Sequence, residues 1–281
     1  MIGIIVINFG KPERTIRFVK EECAKVAAEH RVVVVDNGSG EDALAELKSA
    51  LKGLADIVPA NENLGFAKGN NLGADYAIKQ YGADILLFVN NDMVFTDADV
   101  VDRLVAKLAA LPEAGMIGPK VVGTDGRLQS PEPYKSFCQS HLLPYWGNLI
   151  YSRKKLDEKI QKDYAQTAGA GWHYRIMGSF MMMRAGDFIA CGMMDPNTFL
   201  YAEEAILSER LKKIGKKVWY EPSVQVLHEH GSTVTAHYSL VRRRKMKLNS
   251  EIYYYKTYMG ERGLKFAAAR LTYALKALFG L

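Results

Sequence analysis

The chain has 281 residues, 48% hydrophobic and 24% charged, with a net charge of +6. That composition excludes wholesale disorder, and the length allows one large domain or two small ones. No run of 18 apolar residues occurs, so no membrane-spanning helix is expected. The three cysteines, Cys23, Cys138 and Cys191, are scattered, which implies a reducing compartment and excludes a disulfide or zinc framework. The positive excess gathers in "RRRKMK" at 242–247 and "SRKKLDEK" at 152–159. It is either a solvated face or a surface for anions; no nucleic-acid-binding motif accompanies it.

The N-terminal "IGIIVINF" (2–9) is a near-continuous apolar run, the pattern of a strand covered on both faces rather than of a signal peptide. Pro12 suits the first turn of a helix, and Ile16, Val19, Cys23 and Val26 continue it at three- and four-residue spacing. "RVVVVDN" (31–37) is a second buried strand, and Ser39 with Asp42 resembles a capping box for a helix over 41–52. A short strand near 56–59, a Gly/Asn-rich loop and a helix to about Tyr81 follow, then a strand over 84–90, a helix over 97–110 and a strand over 115–118. Such strand–helix alternation implies a mainly parallel sheet with helices on both sides.

Beyond 120 the pattern loosens. "VVGTDGRL" (121–128) reads as a hairpin around Asp125-Gly126, and 129–170 as an irregular, function-specific insert. Strands are expected over 176–184, 217–220 and 224–228, with a helix over about 203–214 ended by Gly215. From about 238 the chain is basic and helical, and Leu264, Leu271, Leu275 and Leu278 fall on one face of its last segment. These helices either pack on the domain or lie against an anionic membrane surface.

In open α/β sheets ligands bind at the carboxyl ends of the strands. Here those ends carry Asn8, then Asp36 and Asn37, then Asn90, Asn91 and Asp92. Each alone can begin a turn or cap a helix. Together they describe a polar rim, and the chain has no GxxxxGK[ST], GxGxxG or GxSxG to suggest other chemistry. A lone acid among amides suits a hard metal ion that keeps water and substrate phosphate in its shell. Asp92 is the candidate ligand and Asn90 a neutral partner for ribose or sugar.

Six segments in order resemble family 2 glycosyltransferases, and most of all their rhamnosyltransferase-type branch. They are "IIVINFGK", "VVVVDNGSGE", "NENLGFAKGNNLG", "LLFVNNDM", "MGSFMMMR" and "FLYAEEAILSERLKKIGKKVWYEPSVQVLHEHGST", covering about 2–235. The resemblance implies a GT-A fold, Rossmann-like, with a nucleotide-sugar half (1–120), an acceptor half (121–235) and a basic helical extension (236–281). It also implies inverting transfer from a UDP- or dTDP-linked sugar to a glycan or lipid-linked acceptor, with Mn2+ or Mg2+, at the cytoplasmic side of a membrane. By position, Asp36 matches the acid at the base or ribose, and Asn63, Gly65, Gly69 and Asn70 match the donor loop. Asp92 matches the last acid of the metal motif, whose first acid is Asn90 here. Glu204, in "YAEEA", matches the catalytic base, with Glu where the family has Asp. His228 matches a metal- or diphosphate-contacting histidine, with His230 a weaker candidate. A sugar-nucleotide pyrophosphorylase and a non-catalytic binding protein are the alternatives.

Overall fold

The computed structural model describes residues 1–132, 134–137, 169–229 and 238–279. The first half follows the expected alternation. Strands β1 (Ile2–Asn8), β2 (His30–Asn37), β3 (Asp56–Ala60) and β4 (Ile85–Val89) run parallel, in the order β3-β2-β1-β4. Helices α1 (Glu13–Glu21), α2 (Glu41–Ala50) and α3 (Gly65–Tyr81) connect them. The interior of β2, Val32 to Val35, is buried throughout, as apolar runs covered on both faces must be. Helix α3 lies close on the sheet through small residues. A Cβ on Gly73 would fall 2.6 Å from Ile5, and one on Gly69 would fall 3.0 Å from the Ile7 side chain.

Past β4 the direction changes. After Asn90–Asp92 come β5 (Met93–Phe95), α4 (Val100–Ala110) and β6 (Ala114–Gly123). Further on lie β7 (Gly171–His173), β8 (Phe180–Arg184), α5 (Ala185–Ala190), α6 (Glu203–Lys213) and β9 (Lys217–His228). The sheet continues β4-β8-β6-β9-β5, with β8 antiparallel to β4 and β6, β6 parallel to β9, and β5 and β7 antiparallel to β9. Four steps across a flat sheet span about 19 Å. The four Cα steps from Val89 to Met93 reach at most about 14 Å. The sheet therefore curls back on itself, and Phe95 of β5 meets Phe180 of β8 edge-on at 5.8 Å.

Several expected elements differ in detail. The strands expected at 217–220 and 224–228 form one strand, because a register shift opposite Pro119/Lys120 absorbs the irregularity without ending the pairing. The strand expected at 115–118 extends over Ala114–Gly123, and that expected at 176–184 begins at Phe180. The turn around Asp125-Gly126 closes an isolated Val122–Leu128 bridge. Ser39 does not cap α2; Gly40 precedes that helix, and Ser39 turns to β1 instead. Only 129–132, 134–137 and 169–170 of the insert, and neither His230 nor Cys138, are among the described residues.

The C-terminal helices α7 (Leu240–Thr257) and α8 (Leu264–Phe279) pack on the domain. Tyr254, Tyr255 and Phe266 are buried with Phe137, Ala202, Ala205 and Ile206. Asp195 accepts hydrogen bonds from Tyr253 (2.8 Å) and Tyr258 (2.5 Å) and pairs with Arg210 at 3.2 Å. On α8, Leu264 is 89% and Leu271 62% exposed, while Leu275 and Leu278 fall outside the described side chains.

Candidate active site

The break after β4 is what builds the site. Asn90 N–H donates to Ser179 O, and the turn delivers Met93 to its partner His228 at the end of β9. Asp92 and His228 thereby become neighbours. His228 Nε2 stands 3.3 Å from Asp92 Oδ1, and Arg14 Nη1, from α1, lies 3.9 Å from Asp92 Oδ2. Glu229 N–H closes the corner on Asp92 O at 2.8 Å. His228 Nδ1 donates to Gln129 Oε1 at 2.7 Å, which orients the ring and turns Nε2 toward the carboxylate. With Nε2 deprotonated, this pair offers one nitrogen and one oxygen ligand to a shared cation. No group of three or more His, Cys, Asp or Glu with metal-holding spacing occurs among the described residues. A divalent ion on this pair would keep positions for water and phosphate oxygens. The donor set fits such an ion.

The amides of the rim form two connected groups. Asn8 Nδ2 donates to Asp36 Oδ1 (3.2 Å) and Ser39 Oγ (3.0 Å). Thr15 Oγ1 donates to Asn8 Oδ1 at 2.6 Å, and Asn91 Nδ2 donates to Thr15 Oγ1 at 2.7 Å. In the second group Asn37 Nδ2 donates to Asn63 Oδ1 and to Gly65 O, while Leu64 N–H donates to Asn37 Oδ1. Asn63 Nδ2 reaches Tyr238 Oη at 3.2 Å. Gly65 has φ +78°, and a Cβ there would fall 2.3 Å from Phe199 O, so only glycine fits.

A cleft of about 160 Å³ opens between these groups. Asn37, Asn63, Gly65, Asn90, Asn91 and Asp92 line it, together with Phe9, Phe66, Phe199 and Tyr238. Phe9 and Tyr238 stack at 6.3 Å with an 11° interplanar angle, and Phe199 stands edge-on to Tyr238 at 6.4 Å. Of the predicted donor residues, Asn8, Asp36, Gly69 and Asn70 sit outside this lining. Asn8 and Asp36 are buried behind it, Gly69 packs under Ile7, and Asn70 donates to Phe66 O within α3. The aromatic wall, Thr15, Arg14 and Gln129 were not foreseen from sequence. Arg14, one residue ahead of Thr15 in "GKPERT", was the readable signal, as a cation opening a helix beside a polar strand end.

Glu203 and Glu204 open α6, where the helix dipole favours acids. Tyr201 and Ala202 before them are left-handed, with φ of 76° and 69°. Glu203 is buried; desolvation, and then the charge of Glu204, push its carboxyl up to about 8. Glu204 is half-buried and lies against Gly178, with Oε2 3.6 Å from where a Cβ would stand. Burial raises its carboxyl too, and the Arg175 guanidinium opposes that shift. A carboxyl held high yet reached by solvent suits a proton acceptor.

The family model described as glycosyl transferase family 2 matches residues 3–187. An N-acetylglucosaminyl-diphospho-decaprenol L-rhamnosyltransferase of Mycobacterium tuberculosis is 24% identical over 240 residues, covering 81% of this chain and 76% of that protein. Rhamnosyltransferase WbbL of Escherichia coli is 23% identical over 237 residues, covering 81% and 83%. Among solved structures, a mannosyltransferase from Pyrobaculum calidifontis in complex with GDP-Man and Mn2+ superposes with TM-score 0.61 at 14% identity, covering 99% of this chain and 74% of that one. S. aureus TarS 1–349 superposes at 0.55 with 13% identity, covering 99% and 81%. The fold is GT-A, and the pyrophosphorylase and non-catalytic alternatives fall away. The chain belongs to glycosyl transferase family 2, on the side of that family where its named relatives are rhamnosyltransferases, and it is a glycosyltransferase.

Proposed function

We propose that this glycosyltransferase moves a sugar, with inversion, from a UDP- or dTDP-linked donor to a hydroxyl of a glycan or lipid-linked acceptor in cell-surface polysaccharide synthesis. The observation that carries this reading is the pairing of Asp92 with a His228 held in one tautomer by Gln129, at the edge of a cleft lined by amides and aromatics. The relatives' names support it: one is named for an N-acetylglucosaminyl-diphospho-decaprenol acceptor and L-rhamnose, the other as a rhamnosyltransferase. The solved mannosyltransferase holds GDP-Man and Mn2+.

In this reading Phe9 and Tyr238 flank the nucleobase, while Asn37 and Asn63 hydrogen-bond uncharged donor groups and Asn90 and Asn91 face the sugar. Asn8 and Asp36 hold the floor from behind. Asp92 and His228 would hold Mn2+ or Mg2+, and a bound ion would supply neutralisation of charge on the departing diphosphate. Glu204 takes the proton from the acceptor hydroxyl as its oxygen bonds to the anomeric carbon. The bond from that carbon to the phosphate oxygen breaks on the opposite face, and the nucleoside diphosphate leaves with the electron pair. Base assistance of this kind contributes roughly 10²–10⁴-fold. Glu203, neutral below about pH 8, adds no negative charge beside Glu204.

The exposed Leu264 and Leu271 on α8 and the basic start of α7 support a peripheral place on the cytoplasmic face of the membrane, where lipid-linked acceptors are presented. Vesicle flotation tests it; equal indifference to anionic and neutral vesicles would remove it. The donor site is tested by thermal shift with a panel of nucleoside diphosphates, with and without Mn2+. A ligand at 100 times its Kd adds about 2.7 kcal/mol. The account expects stabilisation by UDP or dTDP that needs the metal and is lost in Asp92→Asn. Metal-dependent stabilisation that survives Asp92→Asn would overturn it.

A further inference from the structure

Helix α7 turns one face to the loop that joins the donor cleft to the base. Ser250 Oγ donates to Leu200 O at 2.8 Å, and Tyr254 is buried one turn on. Arg243 and Lys247 precede them at helical spacing on the same face. Arg243 and Lys247 both act electrostatically on the Tyr201 hydroxyl, and Lys247 acts on Glu204 as well. Leu200 lines the donor cleft, so these cations overlook the ground between donor and base.

Arg243 differs from the other arginines around the site. Arg14 pairs with Asp92, Arg17 with Glu229, Arg175 with Glu132 and Arg210 with Asp195. Arg243 has no ion pair among the described residues, and its Nε, like Arg14 Nη1, is buried without a hydrogen-bond partner among them. Lys247 lies 3.8 Å from Glu251, and its side chain is 51% exposed. A buried guanidinium nitrogen left unsatisfied is costly and calls for a missing acceptor. The loop beneath it is strained as well: Tyr201 and Ala202, consecutive and neither of them glycine, are both left-handed.

We propose that Arg243 and Lys247, on the face of α7 over Tyr201 and Glu204, form an anion subsite that takes the phosphate of a polyprenyl-diphosphate-linked acceptor. A guanidinium matches two phosphate oxygens at once, which suits Arg243 to the specific contact and Lys247 to a looser one. The donor diphosphate is assigned above to Asp92 and His228, and Glu204 is not among the residues lining the donor cleft. The acceptor hydroxyl must meet Glu204, so an anion carried by the acceptor arrives beside α7. This assignment rests on the transfer reaction proposed above in naming the ligand an acceptor.

The test uses the full chain and two soluble probes, geranyl diphosphate and the neutral geraniol, by calorimetry with Mn2+ and saturating UDP or dTDP in the donor site. The expected result is binding of geranyl diphosphate and not of geraniol, weakened at least tenfold in Arg243→Gln. Lys256→Gln, the same charge loss at the exposed end of α7, should stay within twofold of the unsubstituted chain. Nucleotide affinity in Arg243→Gln should also stay within twofold. Equal weakening in both variants would mean diffuse charge, and loss of nucleotide affinity in Arg243→Gln would mean a donor contact. Either result overturns the subsite, as does failure of geranyl diphosphate to bind. If neither nucleotide binds the unsubstituted chain, the donor reading fails instead, and the geranyl diphosphate titrations, run alone, still decide the subsite.

Discussion

Replacing Glu203 by Gln should stabilise the protein at neutral pH and leave it unchanged in acid. Glu203 is buried at the first position of α6, one of its carboxylate oxygens has no hydrogen-bond partner among the described residues, and its carboxyl is pushed up to about 8 from 4.5. The folded pKa is raised, so the contribution of the protonated form is complete below about pH 4.5 and is lost as pH climbs through 8. Between those values the unfolded chain releases a proton that the folded one retains, so stability falls as pH rises. At about 1.4 kcal/mol per pKa unit, the penalty is about 1 kcal/mol at pH 5 and about 3 kcal/mol at pH 7. Glutamine keeps the shape of the protonated acid without the titration. Urea unfolding at pH 5 and pH 7 measures the difference directly. A Glu203→Gln advantage that does not grow between the two pH values would refute a buried, proton-holding Glu203.

Gly65→Ala places a methyl group 2.3 Å from Phe199 O at a left-handed residue, and strains the Phe66 N–H to Phe199 O hydrogen bond (2.8 Å). A loss of roughly 2–4 kcal/mol follows, read as a lower unfolding midpoint together with weaker nucleotide binding; an unchanged midpoint would show that the loop yields freely. Gln129→Ala removes the acceptor that fixes the His228 tautomer. Metal affinity, titrated through nucleotide stabilisation, should fall by about 10–100-fold, and an unchanged titration would take His228 out of the ligand set.

How much of this was readable in advance depended on the reach of each interaction. Strands β1, β2 and β4 announce themselves because burial on both faces demands unbroken apolar runs such as Val32–Val35. The interruption at Asn90–Asp92 was also plain. Its purpose was less so, since pairing of Met93 with His228 is a contact between residues 135 positions apart in a curled sheet. Strand β7 has three residues and is held by cross-strand contact of Trp172 with Trp219, too short a segment to carry a period. Two strands, 217–220 and 224–228, are expected where one forms, because the partner strand accommodates the residues between them through a register shift. Ser39 followed the capping pattern, yet Asn8 and Gly10 claim its hydroxyl. The polar rim and the acid pair were visible because each is local. The aromatic wall of Phe9, Phe66, Phe199 and Tyr238 was not, because four distant segments supply it.

The central claim is that this cleft transfers sugar with Glu204 as the base. Its most direct measurement is single-turnover transfer from a radiolabelled nucleotide sugar by Glu204→Gln beside the unsubstituted enzyme. The account predicts a rate lower by roughly 10²–10⁴-fold, with donor affinity preserved because Glu204 is not among the residues lining the donor cleft. An undiminished rate would contradict it.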